Sequence, residues 1–153
     1  MKKILLIFGT SCLILIVVAA CFIGYGLYQG QGLDESSREY VEANVPPIVS
    51  TWSKEELLKR SSPQLLLVLN QKPGEIDQIF LKLSRLGSLN SFGDVKGEAK
   101  LDYTTNKGKV ITASYVATAK FEHGNCQITI YLIQESGQWL FLSFNVNSPL
   151  FLE

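Results

Sequence analysis

Residues 4 to 28, from Ile4 to Tyr28, form a run of 25 consecutive uncharged residues in which only Thr10 and Ser11 are clearly polar. No other feature constrains the chain as strongly. As a helix rising about 1.5 Å per residue, such a run outreaches a hydrocarbon core of about 30 Å. The apolar region of a secretory signal is usually shorter, about 7–15 residues. Within the run, Val18-Ala19-Ala20-Cys21 has the form of a lipoprotein cleavage box, which would make Cys21 a lipid-bearing N-terminus. The next residues argue the other way. Phe22-Ile23-Gly24-Tyr25 prolong the apolar stretch where a lipoprotein usually carries a polar tether. Tyr25 and Tyr28 suit the far headgroup level, where aromatic rings partition. The favoured expectation is an uncleaved signal anchor, with lipidation of Cys21 or ordinary cleavage after Ala20 as alternatives.

All three readings place the remainder outside the cytoplasm. Lys2 and Lys3 precede the run, and Asp34 and Glu35 are the first charges after it, in keeping with the positive-inside rule. The expected organisation is a cytoplasmic tail at 1–3 and a transmembrane helix at 4–28. A flexible polar linker at 29–34 and an extracytoplasmic domain at 35–153 follow. The expected location is a bacterial inner membrane, single-pass, with the domain in the periplasm or outside the cell. Gly26 and Gly30 have GxxxG spacing, but at the end of the span this is a weak dimer signal.

Composition narrows the function classes. Removing Lys2 and Lys3 leaves 12 basic against 14 acidic groups, a net of −2. With no basic stripe to meet phosphates, nucleic acid is not an expected partner. Of three cysteines, only Cys126 lies beyond the apolar run, so no disulfide closes within the domain. No Cys/His spacing suits zinc, and no cofactor or metal site is expected.

Local pattern then assigns elements. Tyr40, Val41, Val45, Ile48, Val49 and Trp52 recur at helical spacing. Pro46-Pro47 interrupts them, which predicts a kinked helix or two short ones. Ser53-Lys54-Glu55-Glu56 is a capping box opening a short helix through Leu58. Ser62-Pro63 supplies another N-cap and first position, leading into Leu65 to Leu69. After Pro73-Gly74, the spacing of Ile76, Ile79, Phe80, Leu83 and Leu86 predicts an amphipathic helix closed by Gly87. The period then becomes two. A polar edge strand is expected over 95–104. A half-buried strand over 109–122 carries Ala113, Tyr115, Ala117, Ala119 and Phe121 on one face. His123-Gly124-Asn125 and Ser136-Gly137 mark turns, with strands at Cys126–Leu132 and Trp139–Val146. Helices first and a strand meander after is an α+β plan.

Three phrases carry a family resemblance: Tyr115-Val116-Ala117-Thr118-Ala119-Lys120-Phe121-Glu122-His123-Gly124, then Ile128-Thr129-Ile130-Tyr131-Leu132, then Gly137-Gln138-Trp139-Leu140-Phe141. With helices preceding long strands over roughly residues 35 to 148, the chain resembles the nuclear-transport-factor-like, or cystatin-like, superfamily. The resemblance implies helices packed on a curled four-stranded antiparallel sheet, a cone. That superfamily includes isomerases and dehydratases, ligand carriers, and membrane-anchored scaffold subunits of secretion machines, so fold alone does not choose among them.

The residues favour the non-catalytic end of that range. Enzymes of the fold place Asp or His inside the cone, whereas His123, the single histidine, falls at a hairpin turn. Cys126 alternates with Ile128 and Ile130, as a buried small hydrophobe does. Glu98, Lys100 and Asp102 read as a solvated, mixed-charge edge. Tyr103, Tyr115 and Tyr131 are candidate pocket residues for a small apolar ligand, though alternation makes core and surface roles the commoner fate. No catalytic motif is present, so no catalytic residue is proposed. Residues 139 to 146 offer two apolar faces. One needs a cover, either a second copy or the Pro149-Leu150-Phe151-Leu152 tail. The expected function is a membrane-tethered interaction or scaffold module, not an enzyme, with a homodimer or an envelope protein as partner. A ligand carrier is the alternative, as is a lipoprotein bearing its lipid on Cys21.

Overall fold

The computed structural model describes residues 2–151, with the side chains of 2–18 and 22–29 outside the described set. Its helices are α1 (Lys2–Thr51), α2 (Lys54–Lys59), α3 (Pro63–Gln71) and α4 (Pro73–Leu83), the last followed by a single 3-10 turn at Ser84–Leu86. The strands are β1 (Leu89–Thr104), β2 (Gly108–Phe121), β3 (Gly124–Glu135) and β4 (Gln138–Asn147). They form one antiparallel sheet in the order β1-β2-β3-β4. The fold is α+β. The chain divides into two compact units, Met1–Leu33 and Asp34–Glu153.

Among the described residues, no helix is long and apolar enough to cross a membrane. The side chains of the expected transmembrane helix, 4–28, lie outside that set except for those of Ala19, Ala20 and Cys21, which are exposed. Residues 30–34, expected as a flexible link, are helical and belong to α1. Gly30 and Gly32 each cost about 1 kcal/mol in a helix interior, but extending a nucleated helix is far easier than starting one.

Pro46 and Pro47 lie within α1 without dividing it. A proline ring removes the N–H that would bond four residues back, here to Glu42 and Ala43. Both of those residues are exposed, so water can satisfy their carbonyls. The opposite stripe, Val41, Val45, Ile48 and Val49, is fully buried. The helix ends in a Schellman turn: Trp52 takes φ 47° and the Ser53 amide donates to the Ile48 carbonyl at 3.2 Å. A tryptophan is an unfavourable residue for that conformation. Its burial and its stack on Phe121, with ring centroids 5.3 Å apart, offset the cost.

Ser53 and Ser62 cap α2 and α3 as expected, accepting from the Glu56 and Leu65 amides. The return half of the capping box is not made. Glu56 instead pairs with Arg60 at 2.6 Å and Lys59 at 2.9 Å. Those two cations hold its carboxyl below the usual glutamate range, Arg60 first.

The sheet's inner face carries Tyr115, Ala117, Ile128, Ile130, Leu132 and Phe141, all essentially inaccessible. β4 differs from the two-sided expectation. A register shift leaves Leu142 as an extra residue: Tyr131 pairs with Ser143 while Leu132 pairs with Phe141. That bulge turns Phe144 and Val146, which pair with Ile130 and Ile128, onto the same face as Phe141. Phe144 meets Phe141 edge to face at 5.7 Å. Leu140 remains on the outer face opposite Ile133.

The sheet is not strongly curled, which corrects the expected cone-like curl. Bulges and glycine kinks curl a sheet, and here the β2–β3 ladder runs from Ile111–Gln134 to Phe121–Gly124 with none. The irregularities are confined to β4 and to two shifts in β1. β1 also begins at Leu89, earlier than expected, because these shifts absorb Asn90 and Asp94-Val95 without ending the pairing. Gly97 permits its closest approach. A Cβ there would overlap the Ser114 carbonyl oxygen.

Candidate functional site

The first turn of the Asp34–Glu153 unit is fastened to three strands by side chains. Asp34 Oδ1 accepts from the Ala99 amide of β1 at 2.6 Å. Tyr115 of β2 donates its hydroxyl to the Asp34 carbonyl at 3.0 Å and shares a 2.8 Å hydrogen bond with Ser37 Oγ. Trp139 of β4 donates Nε1 to Ser36 Oγ at 3.1 Å. Ser37 is fully buried and Tyr115 is 1% exposed. A buried network with every hydroxyl engaged holds one geometry, since breaking any bond strands a polar atom in low dielectric. The network is a latch where the chain arrives from the apolar segment.

Sequence reasoning missed Asp34, Ser36 and Ser37. A signal existed: Ser37 lies four residues before Val41 on the buried stripe of α1, where a polar residue requires a partner.

The three candidate tyrosines are not brought together. Tyr115 faces inward and spends its hydroxyl on the latch. Tyr131 lies on the outer sheet face, 45% exposed. Tyr103 lies near the β1–β2 turn and is 76% exposed. Cys21, the candidate lipidation position, is exposed and free. Cys126 is buried, and desolvation pushes its thiol up to about 11, which keeps it protonated and unreactive at neutral pH.

His123 is exposed, yet its hairpin is not remote from the helices. The Glu122 and His123 amides donate to Ser88 and Leu86 carbonyls at 3.0 and 2.9 Å, docking the β2–β3 turn on the end of α4. Gly87 makes that contact possible. It adopts φ 80°, and a Cβ would lie 2.6 Å from His123 Nδ1. Glu98 and Lys100 approach at 3.6 Å in solvent, as a mixed-charge edge does.

Three recesses are shallow. The largest of these three, about 310 Å³, is lined by Thr118, Asn125, Cys126, Gln127, Asn147 and Pro149. One of about 220 Å³ lies on the outer face between Lys100, Thr112, Ser114, Tyr131 and Leu142. A third of about 280 Å³ lies against His123, Asn125, Ser148 and Leu150. No carboxylate lines any of them. Among the described residues, no cluster of His, Cys, Asp or Glu could hold a metal ion. No family model, no curated protein and no solved structure matches the chain.

Proposed function

We propose that the chain is a membrane-tethered, extracytoplasmic interaction or scaffold module of a bacterial envelope, without catalysis. In this reading residues 4–28 are a single uncleaved span with Lys2-Lys3 on the cytoplasmic side. The unit from Asp34 onward is a shallow relative of the cystatin-like cone, presented to a second copy or an envelope protein. The observation that carries the reading is the join. A 25-residue uncharged run leads within a few residues into a turn hydrogen-bonded to β1, β2 and β4. A domain clamped at the residue where its tether arrives stays folded and oriented while it is held. The inner face gives less support to a ligand carrier, because Tyr115, Phe141, Ile130 and Leu132 pack it without exposure.

The test is alkaline extraction of membranes with protease treatment of spheroplasts. The reading expects the full-length chain in the carbonate-resistant pellet and the domain digested from outside. Recovery in the soluble fraction, or protection from external protease, would overturn it. Mass measurement of the mature chain, compared with Cys21→Ala, separates an intact span from a lipid on Cys21. In-membrane crosslinking then asks for the partner, and a strict monomer with no neighbour would count against a scaffold.

A further inference from the structure

The β1–β2 hairpin extends beyond the rest of the sheet. β3 pairs with β2 only as far as Ile111–Gln134, and β4 turns back there at Ser136-Gly137. The β1–β2 ladder continues through Leu101–Ile111, Asp102–Val110 and Tyr103–Lys109 to Thr104–Gly108. Every residue from Leu101 to Lys109 is exposed. This two-stranded ribbon ends in an aromatic side chain, a leucine and cations.

Its direction follows from two contacts. Trp52, at the end of α1, stacks on Phe121, which pairs with Leu89 at the start of β1. Asp34, eighteen residues earlier in α1, bonds Ala99 near the end of β1. The Asp34–Thr51 part of α1 and β1 therefore run in opposite directions, and the ribbon projects beyond Asp34, the first residue of its unit. From Ala99 to Thr104 the reach is about 17 Å at a strand's rise. At a helix's rise the six residues from Tyr28 to Asp34 cover about 9 Å, less than the reach of the ribbon.

Its chemistry matches a lipid headgroup layer. Tyr103 and Leu101 share one face of the ribbon, and an amphipathic ring beside an aliphatic side chain partitions into the interface. Lys100, Lys107 and Lys109 surround them with Asp102 as the single acid, a local excess of two positive charges in a domain that is net negative. Lys100 has Glu98 beside it at 3.6 Å, whereas Lys107 and Lys109 make no ion pair among the described residues.

We infer that the β1–β2 hairpin is a foot that rests on the anionic lipid surface of the membrane anchoring the chain, with Tyr103 at headgroup depth and Lys107 and Lys109 against phosphates. The inference rests on the tethered reading above. Such a contact would hold the domain at the membrane surface at a second point besides its tether.

A photoreactive benzoyl-phenylalanine at position 103 of the full chain, with position 131 on the outer sheet face as control, tests it in membranes containing phosphatidylglycerol. The expected result is lipid adducts at 103 several-fold above 131, in carbonate-resistant protein. Lys109→Glu should lower that yield at least about fivefold, the factor that one interfacial cation contributes. Carbonate-resistant protein whose position 103 labels no lipid, or labels a protein instead, overturns the foot and leaves the anchor standing. Protein released by carbonate overturns both.

Discussion

α1 and α3 both carry a dense set of aliphatic side chains, and their fates differ completely. In α1, Val41, Val45, Ile48 and Val49 are fully buried against the sheet. In α3, the five consecutive apolar residues Leu65 to Leu69 bury none, and Leu67 is 69% exposed. Apolar content does not explain the contrast, since α3 carries five aliphatic residues in a row. The stripe on α1 repeats at helical spacing and meets one broad surface, the inner sheet face. The run in α3 points all round a nine-residue helix, which lies against β4 and α4 and reaches β3 through a Gln64–Glu135 hydrogen bond of 3.0 Å. α3 is placed by its ends: Ser62 caps it, and the Ser62 amide donates to the Phe141 carbonyl at 2.8 Å. Burial rewards geometry as well as composition.

Substitutions at both places can break that comparison. Phe141→Ala should be the most damaging, costing about 3–5 kcal/mol in denaturant unfolding of the full chain in detergent, because it empties a fully buried site. Gly97→Ala should cost about 3 kcal/mol and loosen the β1–β2 ladder, visible as faster amide exchange in β1, since the added methyl meets the Ser114 carbonyl. The pH dependence reports the buried thiol. Its folded value is raised from 9.0 to about 11, so stability is complete below pH 9 and falls as pH rises towards 11. The loss should be about 2 kcal/mol and absent in Cys126→Ala. Tyr115→Phe removes the hydroxyl shared by Ser37 and Asp34 and should cost about 1–2 kcal/mol, with exchange at the Ala99 amide accelerated. Leu67→Ala should change stability by less than about 0.5 kcal/mol. A loss above about 2 kcal/mol there would mean that α3 is covered after all, and the contrast with α1 would fail.

Much of the local structure is written in short-range pattern. The caps at Ser53 and Ser62, the strand alternation of β2 and the two-residue turn at Ser136-Gly137 depend on neighbours within about four positions. Ser136 and Gly137 take φ 50° and 78°, the conformation that a tight right-twisting hairpin demands. The prolines of α1 show the limit of such reasoning. Their breaking tendency was legible, while the solvated carbonyls that tolerate them depend on which face meets the sheet.

The candidate site was harder to foresee for the same reason. Alternation places Tyr103, Tyr115 and Tyr131 on strands but does not say which face receives the helices. The β4 bulge at Leu142 moves Phe144 and Val146 inward without any glycine to announce it. The latch joins residues 65 to 103 positions apart, Asp34 to Ala99 and Ser36 to Trp139 among them. Periodicity, capping and turn chemistry act along the backbone, so the sequence alone determines the caps, the tight turns, the alternation of β2 and β3 and the long uncharged run. Which apolar side chains are buried, and which hydroxyls find one another, are settled only when distant segments exclude water together.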